Sequence, residues 1–272
     1  EEMRAIELYL DQETSKIDLL ISKKEQLIEK LLERRQALIT QVVTKGLDPD
    51  APMKDSGVEW LGKVPEHWPI GRVQRFASFS SGSGFPEHLQ GDTKEEVPFL
   101  KVDDLGKNPD FRIENWQNTV SRTIASELRA KVLPAGTVIM AKIGAALLLG
   151  RVRLLGVSSC IDNNMIGITP ESRVSNRYLG YYLSSLDFAY FVNPGTVPST
   201  SGSAIGSNKM PLPPPSEQQQ ITEYLNDQTS QIDSLVHKTG KAIELLKERR
   251  QALITQVVTG KLDVRGLVNG DS

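Results

Sequence analysis

A twelve-residue segment occurs twice in this chain without change, and it constrains the fold more strongly than any other feature. Residues 33–44 read Glu-Arg-Arg-Gln-Ala-Leu-Ile-Thr-Gln-Val-Val-Thr, and residues 248–259 repeat them. At the same offset, and without an insertion or deletion, eleven further identities lie upstream, as far as Tyr9 and Tyr224. The chain therefore contains two copies of one segment, with a different sequence between them.

Both copies have the apolar spacing of a long helix. Apolar residues recur every three or four positions with a period near 3.5, which is typical of a coiled-coil helix, although Lys24 and Arg35 interrupt the stripe. About thirty residues form a rod of roughly 45 Å, and a partner must cover its stripe because a lone helix is marginal in water. We predict that the two copies pair as an antiparallel coiled coil. The helices are expected to meet their partners through Ile17, Leu20, Leu27, Leu31, Leu38, Val42, Ile232, Leu235, Ile243, Leu246, Leu253 and Val257. At four of these positions an adjacent apolar residue fits the stripe equally well, namely Ile21, Ile28, Val236 and Ala242.

The ends of both helices carry recognisable signals. The first helix is predicted from about Thr14 to Thr44, with Gly46 as its C-terminal cap. Three prolines, residues 213–215, interrupt regular structure, and Ser216 with Gln219 matches a capping box. The second helix is therefore predicted to begin at residue 216 and to end near Gly260.

The sequence between the copies has a different pattern, with short β-like runs, two helical patterns and frequent Gly and Pro. It predicts one α+β domain, and two polar stretches, 78–84 and 198–207, are predicted to be mobile loops. The predicted strands are Val97–Val102, Thr137–Ile143, Leu147–Leu155 and Met165–Ile168, and the predicted helices are Thr123–Lys131 and Asn176–Phe191, the second capped by Ser175.

These patterns define the expected organisation. The fold class is α+β, with one mixed globular domain flanked by two long helices that pair as an antiparallel coiled coil. A linker holds Trp60 and Trp68, which we expect to anchor it to the domain. The expected segments are the first helix at 1–48, the linker at 49–69, the globular domain at 70–212, the second helix at 213–264 and a disordered tail at 265–272.

Composition excludes several classes of protein. A single cysteine, Cys160, excludes a disulfide framework and a cysteine-based zinc site, and it fits a reducing compartment. No apolar run approaches the ~18 residues that a membrane span requires, and the N-terminus is acidic, unlike a signal peptide. We predict a cytoplasmic chain that is neither secreted nor embedded in a membrane.

The charge is unevenly distributed along the chain. The formal net charge is −2, yet residues 70–210 carry more basic than acidic side chains. Within them no acidic residue lies between Glu127 and Asp162, a stretch that holds Arg129, Lys131, Lys142, Arg151 and Arg153. This stretch is a weak indication of a basic surface that binds nucleic acid, and an ordinary solvated surface is the alternative interpretation.

No catalytic motif is present in the sequence. The histidines, His67, His88 and His237, lie in different segments without partners at metal-ligand spacing. Residues 82–84 lack the third glycine of a dinucleotide loop, and there is neither a phosphate-binding loop nor the Asn/Asp-Pro-Pro-aromatic tetrapeptide of amino-methyltransferases. A domain between two rods and without such motifs indicates a recognition module rather than an enzyme.

Several segments together resemble one known family. Residues 55–68, Asp-Ser-Gly-Val-Glu-Trp-Leu-Gly-Lys-Val-Pro-Glu-His-Trp, are similar to the start of a target recognition domain in the specificity (S) subunits of type I DNA restriction-modification systems. Residues 211–218 with Ile221 are similar to its exit, residues 134–144 to its middle strand, and the repeated Glu-Arg-Arg-Gln-Ala-Leu-Ile helices to its scaffold. The resemblance covers nearly the whole chain.

The resemblance implies a function without catalysis. Such subunits bind double-stranded DNA sequence-specifically and recruit modification (M) subunits, which hold S-adenosylmethionine and methylate adenine, and restriction (R) subunits, which translocate and cleave. No cofactor is expected in this chain. The usual subunit has two recognition domains that each bind half of a split site, whereas this chain has one. We expect a natural half-subunit or the C-terminal half of a longer one, and we expect two copies to associate through the helices.

The DNA contacts are expected on the central domain. Phosphate contacts should come from basic residues and base contacts from polar loop residues. The candidates are Lys101, Lys142, Arg151, Arg153 and Lys209, and the loop residues Ser81, Ser83, Asn163, Asn164, Thr200, Ser201 and Ser203. The competing hypothesis is a coiled-coil scaffold whose domain binds another protein and no DNA, and a third, a free-standing methyltransferase, lacks its motifs.

Overall fold

The computed structural model describes residues 2–108, 111–188 and 197–264. Two long helices, α1 (Glu2–Lys45) and α7 (Pro215–Val258), lie on either side of the central sequence. The chain divides into two compact units, one of residues 1–37 with 226–272 and the other of residues 38–225. The division falls inside both long helices rather than in loops. The predicted tail at 265–272 lies outside the described residues.

The first unit is the antiparallel helix pair that the repeat predicts. Arg35 of α1 lies 2.9 Å from Asp233 of α7, and Asp18 of α1 lies 2.9 Å from Arg250 of α7, so the helices run in opposite directions. Buried and half-buried positions follow a heptad spacing in both helices. These seam positions are Thr14, Ile17, Ile21, Lys24, Ile28, Leu31 and Arg35 in α1 and Thr229, Ile232, Val236, Thr239, Ile243, Leu246, Arg250, Leu253 and Val257 in α7.

Three predicted seam residues are placed elsewhere. Leu20, Leu27 and Leu235 are 48%, 48% and 51% exposed. The period of 3.5 instead carries the seam through the adjacent apolar residues Ile21, Ile28 and Val236. Lys24 and Arg35, which interrupt the stripe in the sequence, are half-buried on the seam. The Nε of Arg35 is buried there and lies 2.9 Å from the carboxylate of Asp233.

The second unit is a mixed α/β domain built around a five-stranded sheet of order β4-β11-β8-β9-β6. Its strands pair antiparallel except β6 and β9, which are parallel. The strand bounds are β1 Met53–Asp55, β2 Lys63–Pro65, β3 Ile70–Arg72, β4 Ala77–Ser81, β5 Val97–Leu100, β6 Arg112–Ile113, β7 Thr119–Val120, β8 Val138–Ala141, β9 Val152–Leu155, β10 Cys160–Ile161, β11 Met165–Pro170 and β12 Lys209–Pro211. The helices between them are α2 Val102–Lys107, α3 Arg122–Glu127, α4 Ala145–Leu148, α5 Asn176–Ser184 and α6 Gly202–Ser207.

Smaller sheets complete this domain. Strand β5 lies between β10, which is parallel to it, and β7, which is antiparallel. Strands β1 and β2 form a hairpin in the linker, and β12 pairs with β3 at the exit from the domain. The linker is therefore more regular than the sequence indicates.

The five-stranded sheet separates two apolar cores. In β8, Val138 and Met140 belong to the larger core with α5, whereas Ile139 and Ala141 face the smaller one. This alternation is the two-residue period of a strand buried on both faces. Gly167 of β11 leaves room for Leu133, because a Cβ at residue 167 would overlap the Leu133 side chain.

The last turns of α1 and the first turns of α7 pack into the larger core. Ile39, Val42 and Val43 of α1 and Ile221 and Leu225 of α7 are buried there. On α5, the hydroxyl of Tyr178 donates to the carbonyl oxygens of Val43 (3.1 Å) and Pro211 (2.8 Å). The domain thus holds both helices at the residues where they enter and leave it.

Local features of the sequence account for several boundaries. The hydroxyl of Ser175 accepts a hydrogen bond from the Tyr178 amide and caps α5, as predicted. Gly46 takes a φ of 76° after α1, which is the left-handed conformation of a C-terminal cap. Trp68 is fully buried, as an anchor should be, whereas Trp60 is 40% exposed beside Tyr182.

Other boundaries differ from the prediction. Helix α7 begins at Pro215, because proline suits the first helical turn, where its missing N–H has no acceptor to lose, so Ser216 lies inside the helix. The side-chain amide of Gln219 donates to the carboxylate of Glu223 instead of closing a capping box. The apolar run predicted as a strand over 147–155 breaks into α4 and β9 at Gly150, whose φ is 58°.

The two predicted polar loops are also partly regular. Residues 78–81 lie in β4, where they pair with β11. Residues 202–207 form α6, which is capped by the hydroxyl of Ser201. Helix α5 ends at Ser184, well before the predicted Phe191, a residue outside the described part of the chain.

Candidate nucleic-acid interface

Several predicted contact residues lie at one end of the five-stranded sheet. Strands β4 and β8 end where β11 and β9 begin, because β11 is antiparallel to β4 and β8, and β9 is antiparallel to β8. Ser81 pairs with Ile166, and Ala141 pairs with Met165. We call this end of the sheet, with the loops that leave it, the loop edge.

Four segments that carry polar side chains lie together at the loop edge. The Lys142 amide donates to the Asn164 carbonyl oxygen (2.8 Å), and the Thr200 amide donates to the Lys142 carbonyl oxygen (2.9 Å). The structure thus joins residues that are far apart in the sequence. The predicted candidates found here are Ser81, Ser83, Lys142, Asn163, Asn164, Thr200, Ser201 and Ser203, with Arg151 at the start of β9.

Hydrogen bonds join the Ser83 loop to two neighbouring segments. The Ser83 amide donates to the Ile161 carbonyl oxygen (3.0 Å), and the Ser83 hydroxyl donates to the Arg129 carbonyl oxygen (3.0 Å). The preceding Gly82 lies directly against the backbone at Asp162, where a Cβ would overlap the carbonyl oxygens. Only glycine permits this approach between the two loops.

Two cations border the loop edge. Lys142 is half-buried directly after β8, and Arg151 is exposed directly before β9. The Arg151 guanidinium lies against α2 at Gly106, since a Cβ at residue 106 would come within 2.6 Å of Nη1. Helix α2 therefore restricts the Arg151 side chain, and both cations keep access to solvent.

Lys101 is more constrained than the other cations. Its ammonium donates to the side chain of Gln90 (2.7 Å), and its backbone amide donates to the carboxylate of Asp104 (2.8 Å). Burial raises the pKa of Asp104 and that of Asp162, and the nearby Lys101 opposes both shifts. Lys101 thus contributes to a local charge balance inside the domain.

The segment 199–203 adds hydroxyl groups. Ser201 accepts from the Ala204 amide (3.1 Å), and its oxygen lies 2.8 Å from the Ser203 hydroxyl. The Oγ1 of Thr200 is buried and has no hydrogen-bond partner among the residues that the structure describes. Leaving such a group unsatisfied costs about 1–3 kcal/mol, and because Oγ1 is buried it is not presented to a ligand at the surface of the domain.

Two predicted contact residues lie away from this arrangement. Arg153 lies within β9, and its Nε donates to the Asn108 carbonyl oxygen (2.8 Å), so its guanidinium is engaged in the fold. Lys209 is exposed on β12, which pairs with β3 in a separate sheet. Sequence proximity grouped Arg153 with Arg151, but Arg151 precedes the strand and Arg153 lies within it, where the sheet fixes the direction of its side chain.

Other residues at the loop edge were not predicted from the sequence. Arg129 is exposed in a left-handed conformation with a φ of 51°, where it ends α3. Ile143, Leu148 and Leu149 are 38%, 49% and 60% exposed around α4. The glycines at 144 and 150 were the available signal for a projecting turn in this apolar run.

Metal binding and membrane insertion find no support in the described ranges. These ranges contain no group of His, Cys, Asp and Glu side chains that could hold a metal ion. Over the same residues, every helix is too short or too polar to cross a membrane.

The fold so far is a mixed α/β domain whose sequence lies between those of two long helices. The sequence profile of the family described as type I restriction modification DNA specificity domain matches residues 65–245. The match covers most of the chain, including the whole sheet. The chain belongs to this family.

Individual relatives agree with this assignment. The chain is 24% identical over 267 residues to the type I restriction enzyme MjaVIII specificity subunit of Methanocaldococcus jannaschii, an alignment that covers 93% of this chain and 59% of the relative. It is 23% identical over 216 residues to the EcoKI specificity subunit of Escherichia coli K12, covering 74% of this chain and 44% of the relative. The chain thus spans about half the length of these relatives.

Solved structures share the fold. The HsdS subunit from Thermoanaerobacter tengcongensis superposes with a TM-score of 0.58 at 17% identity, covering 96% of this chain and 59% of that one. A chain from a study of complex assembly and conformational transition of the type I R-M system gives a TM-score of 0.60 at 18% identity, with 96% and 60% coverage. These likenesses establish a mixed α/β domain with flanking long helices as the shared architecture.

Proposed function

We propose that this chain is a sequence-specific DNA-recognition subunit of a type I restriction-modification complex, and that it contributes no catalytic residues. Its relatives are named specificity subunits of such enzymes. The observation that carries the proposal is the loop edge, where Lys142 and Arg151 border a group of hydroxyl and amide side chains on a rigid sheet. In this proposal the domain at 70–212 binds one half of a split site, and the segments 1–48 and 213–264 are its scaffold.

The chemistry of the loop edge suits duplex DNA. Cations that keep access to solvent can neutralise phosphates and release counterions, whereas hydroxyl and amide groups can hydrogen-bond base edges. Asn163, in an exposed turn between β10 and β11, offers an amide of the kind that pairs with adenine.

The proposed partners are double-stranded DNA and the M and R subunits. S-adenosylmethionine is expected in the M subunit. The helix pair covers its own seam, so any further subunit must use the outer faces of the helices. Leu20 and Leu27 of α1 and Leu235 of α7 leave apolar surface there. We propose that two copies associate through these outer faces and present two recognition domains to an inverted repeat.

The DNA contact is tested by removing two cations together. K142A/R151A should weaken binding to a duplex selected from a random-centre library. It should also make the negative slope of log K against log salt concentration shallower by about 2, because about 0.9 of a counterion is released per phosphate contact. K209A is the matched control, since Lys209 is exposed on a separate sheet. Arg153 is retained because its guanidinium supports the fold.

The outcomes separate the competing functions. A lower salt slope in K142A/R151A, with K209A unchanged, supports the DNA interface. An unchanged slope would remove the loop edge from the interface. If the wild-type chain selects no sequence from the library and instead captures a protein with salt-insensitive affinity, the chain is a coiled-coil scaffold without DNA function.

Self-association is tested separately by sedimentation. The wild-type chain at micromolar concentration, without an M subunit, should show twice the chain mass. L20E/L27E places two carboxylates on the outer face and should yield a monomer, whereas K209A should remain dimeric. A monomeric wild-type chain contradicts the dimer and leaves the DNA contact to be judged by its own test.

A further inference from the structure

A short apolar projection lies between the two cations of the loop edge. Helix α4 begins after Gly144, whose φ is 75°, and the turn after it ends at Gly150, whose φ is 58°. Leu147 is buried, but its neighbours Leu148 and Leu149 are 49% and 60% exposed. We call the pair Leu148 and Leu149 the leucine tip.

The base of the leucine tip is fixed to the domain. The Gly144 amide donates to the Pro198 carbonyl oxygen (2.7 Å), and Ile143 pairs with Ser199 in an isolated bridge. Leu147 is packed in the larger core and anchors α4 to the domain. Two large apolar side chains are therefore held in water on a supported turn, an arrangement that favours burial against a partner.

Charge indicates which partner covers the leucine tip. Lys142 precedes the segment, Arg151 follows it, and no acidic residue occurs from 128 to 161. An apolar surface between cations is complementary to a groove of duplex DNA, where phosphates border the base edges. The tip is also continuous with the polar residues of the loop edge, because Thr200 bonds the backbone of Lys142.

We propose that Leu148 and Leu149 enter the major groove and contact the 5-methyl group of a thymine in the target site. This inference rests on the proposed DNA-binding function and names a specificity-determining feature within it. The thymine methyl is the apolar group that the major groove displays, and a side chain without hydrogen-bonding atoms can distinguish it. Lys142 and Arg151 would then lie toward the phosphates on either side.

The test combines variants of the full chain with modified duplexes. Each thymine of a duplex selected from a random-centre library is replaced in turn by deoxyuridine, which lacks only the methyl group. Binding is measured for the wild type, L149S and L148S/L149S. V157S is the matched control, because Val157 is 43% exposed beyond the opposite end of β9. Circular dichroism and Tm verify that each variant is folded.

The expected result is a coupling between one base and the leucine tip. L148S/L149S should bind the thymine duplex about tenfold more weakly, as expected for the loss of one buried leucine contact, with an unchanged salt slope. At one position deoxyuridine should weaken the wild type but have little further effect on the variant. V157S should behave as the wild type at every position.

The failures are distinguishable. If the wild type selects a site with a normal salt slope but no thymine couples to the tip, or if the site contains no thymine, the tip does not contact a thymine methyl and the proposed function stands. A wild-type chain without sequence preference overturns the proposed function and this inference together. L149S separates a local effect from misfolding, because it should give a smaller loss at the same position.

Discussion

Arg250 of α7 donates two hydrogen bonds to the carboxylate of Asp18 of α1, from Nε at 2.9 Å and from Nη2 at 3.2 Å. The repeat places Arg35 and Asp233 in the equivalent positions, and these residues also pair, with Nε and Oδ1 2.9 Å apart. The two contacts are related by exchange of the helices. The Arg35 Nε–H is not aligned with an acceptor, however, so this second contact is an ion pair without a well-formed hydrogen bond.

The Asp18–Arg250 pair should contribute little to stability. Both side chains are more than a third exposed, and exposed pairs are worth about 0.2–1 kcal/mol. A double-mutant cycle of D18N and R250Q, measured by urea unfolding, should give a coupling free energy in this range that declines as salt is added. A coupling above about 2 kcal/mol would show that solvent screens the pair less than its exposure implies.

Glu217 is expected to matter far more, because it satisfies a buried donor. The indole Nε1–H of the fully buried Trp68 donates to Glu217 Oε2 (2.8 Å), and His67 Nε2 lies 2.7 Å from Oε1. E217A leaves the indole N–H without this acceptor, so the free energy of unfolding should fall by about 1–3 kcal/mol. Chemical denaturation followed by tryptophan fluorescence measures the loss.

A nearby glutamate provides the control for this prediction. Glu223 is exposed on the same helix and accepts from the exposed Gln219 side chain. E223A should therefore change the free energy of unfolding by less than about 0.5 kcal/mol. Equal losses in E217A and E223A would mean that the Trp68 hydrogen bond is not the cause.

A side chain at Gly46 is predicted to destabilise the fold. Its φ is 76°, and a Cβ would lie 3.2 Å from Cζ2 of Trp68. G46A adds the strain of the left-handed conformation, about 1 kcal/mol, to a close contact with a buried ring. G57A is the control, because Gly57 has a φ of 63° and a Cβ added there would have nothing within 4 Å. The fall in Tm should be clearly larger for G46A, and equal falls would remove the ring contact as a factor.

Much of the scaffold is predictable from the sequence because its signals are local or repeated. The internal repeat predicts the paired helices, and the serine before α5 predicts its cap. It is harder to predict which residues of each helix face the seam. Leu20 and Ile21 are adjacent and both apolar, so spacing alone does not choose between them. The structure buries the isoleucine further, since it continues the period through Ile17 and Ile28.

The loop edge is harder to predict from the sequence because it depends on the order of the strands in the sheet. The order β4-β11-β8-β9-β6 joins segments that are distant in the chain, and no local pattern specifies it. Arg151 and Arg153 looked alike in the sequence, yet one is exposed before β9 and the other is hydrogen-bonded within it. The leucine tip was hidden because an apolar run does not reveal whether it continues as a strand or turns outward.

Asp162 should give stability a pH dependence with a definite sign. Burial is the largest cause that raises the pKa of its carboxyl above the ordinary 3.8, although the Asn164 amide and Lys101 oppose the shift. The folded state therefore holds this proton to a higher pH than the unfolded state. The resulting stabilisation is complete below the ordinary value and is lost as the pH rises through the folded-state pKa.

D162N removes this titration but keeps an amide oxygen as acceptor for the Asn164 N–H, which lies 2.8 Å from Oδ1 in the wild type. The wild type should lose this stabilisation as the pH rises from about 3 to about 7, whereas D162N should not. The free energy of unfolding of D162N minus that of the wild type should therefore increase over this range. Urea unfolding across this range measures the difference, and D103N, at an exposed position nearby, is the control. A difference that stays constant, or that moves toward the wild type with rising pH, would mean that the folded protein stabilises the Asp162 carboxylate and that burial does not dominate its environment.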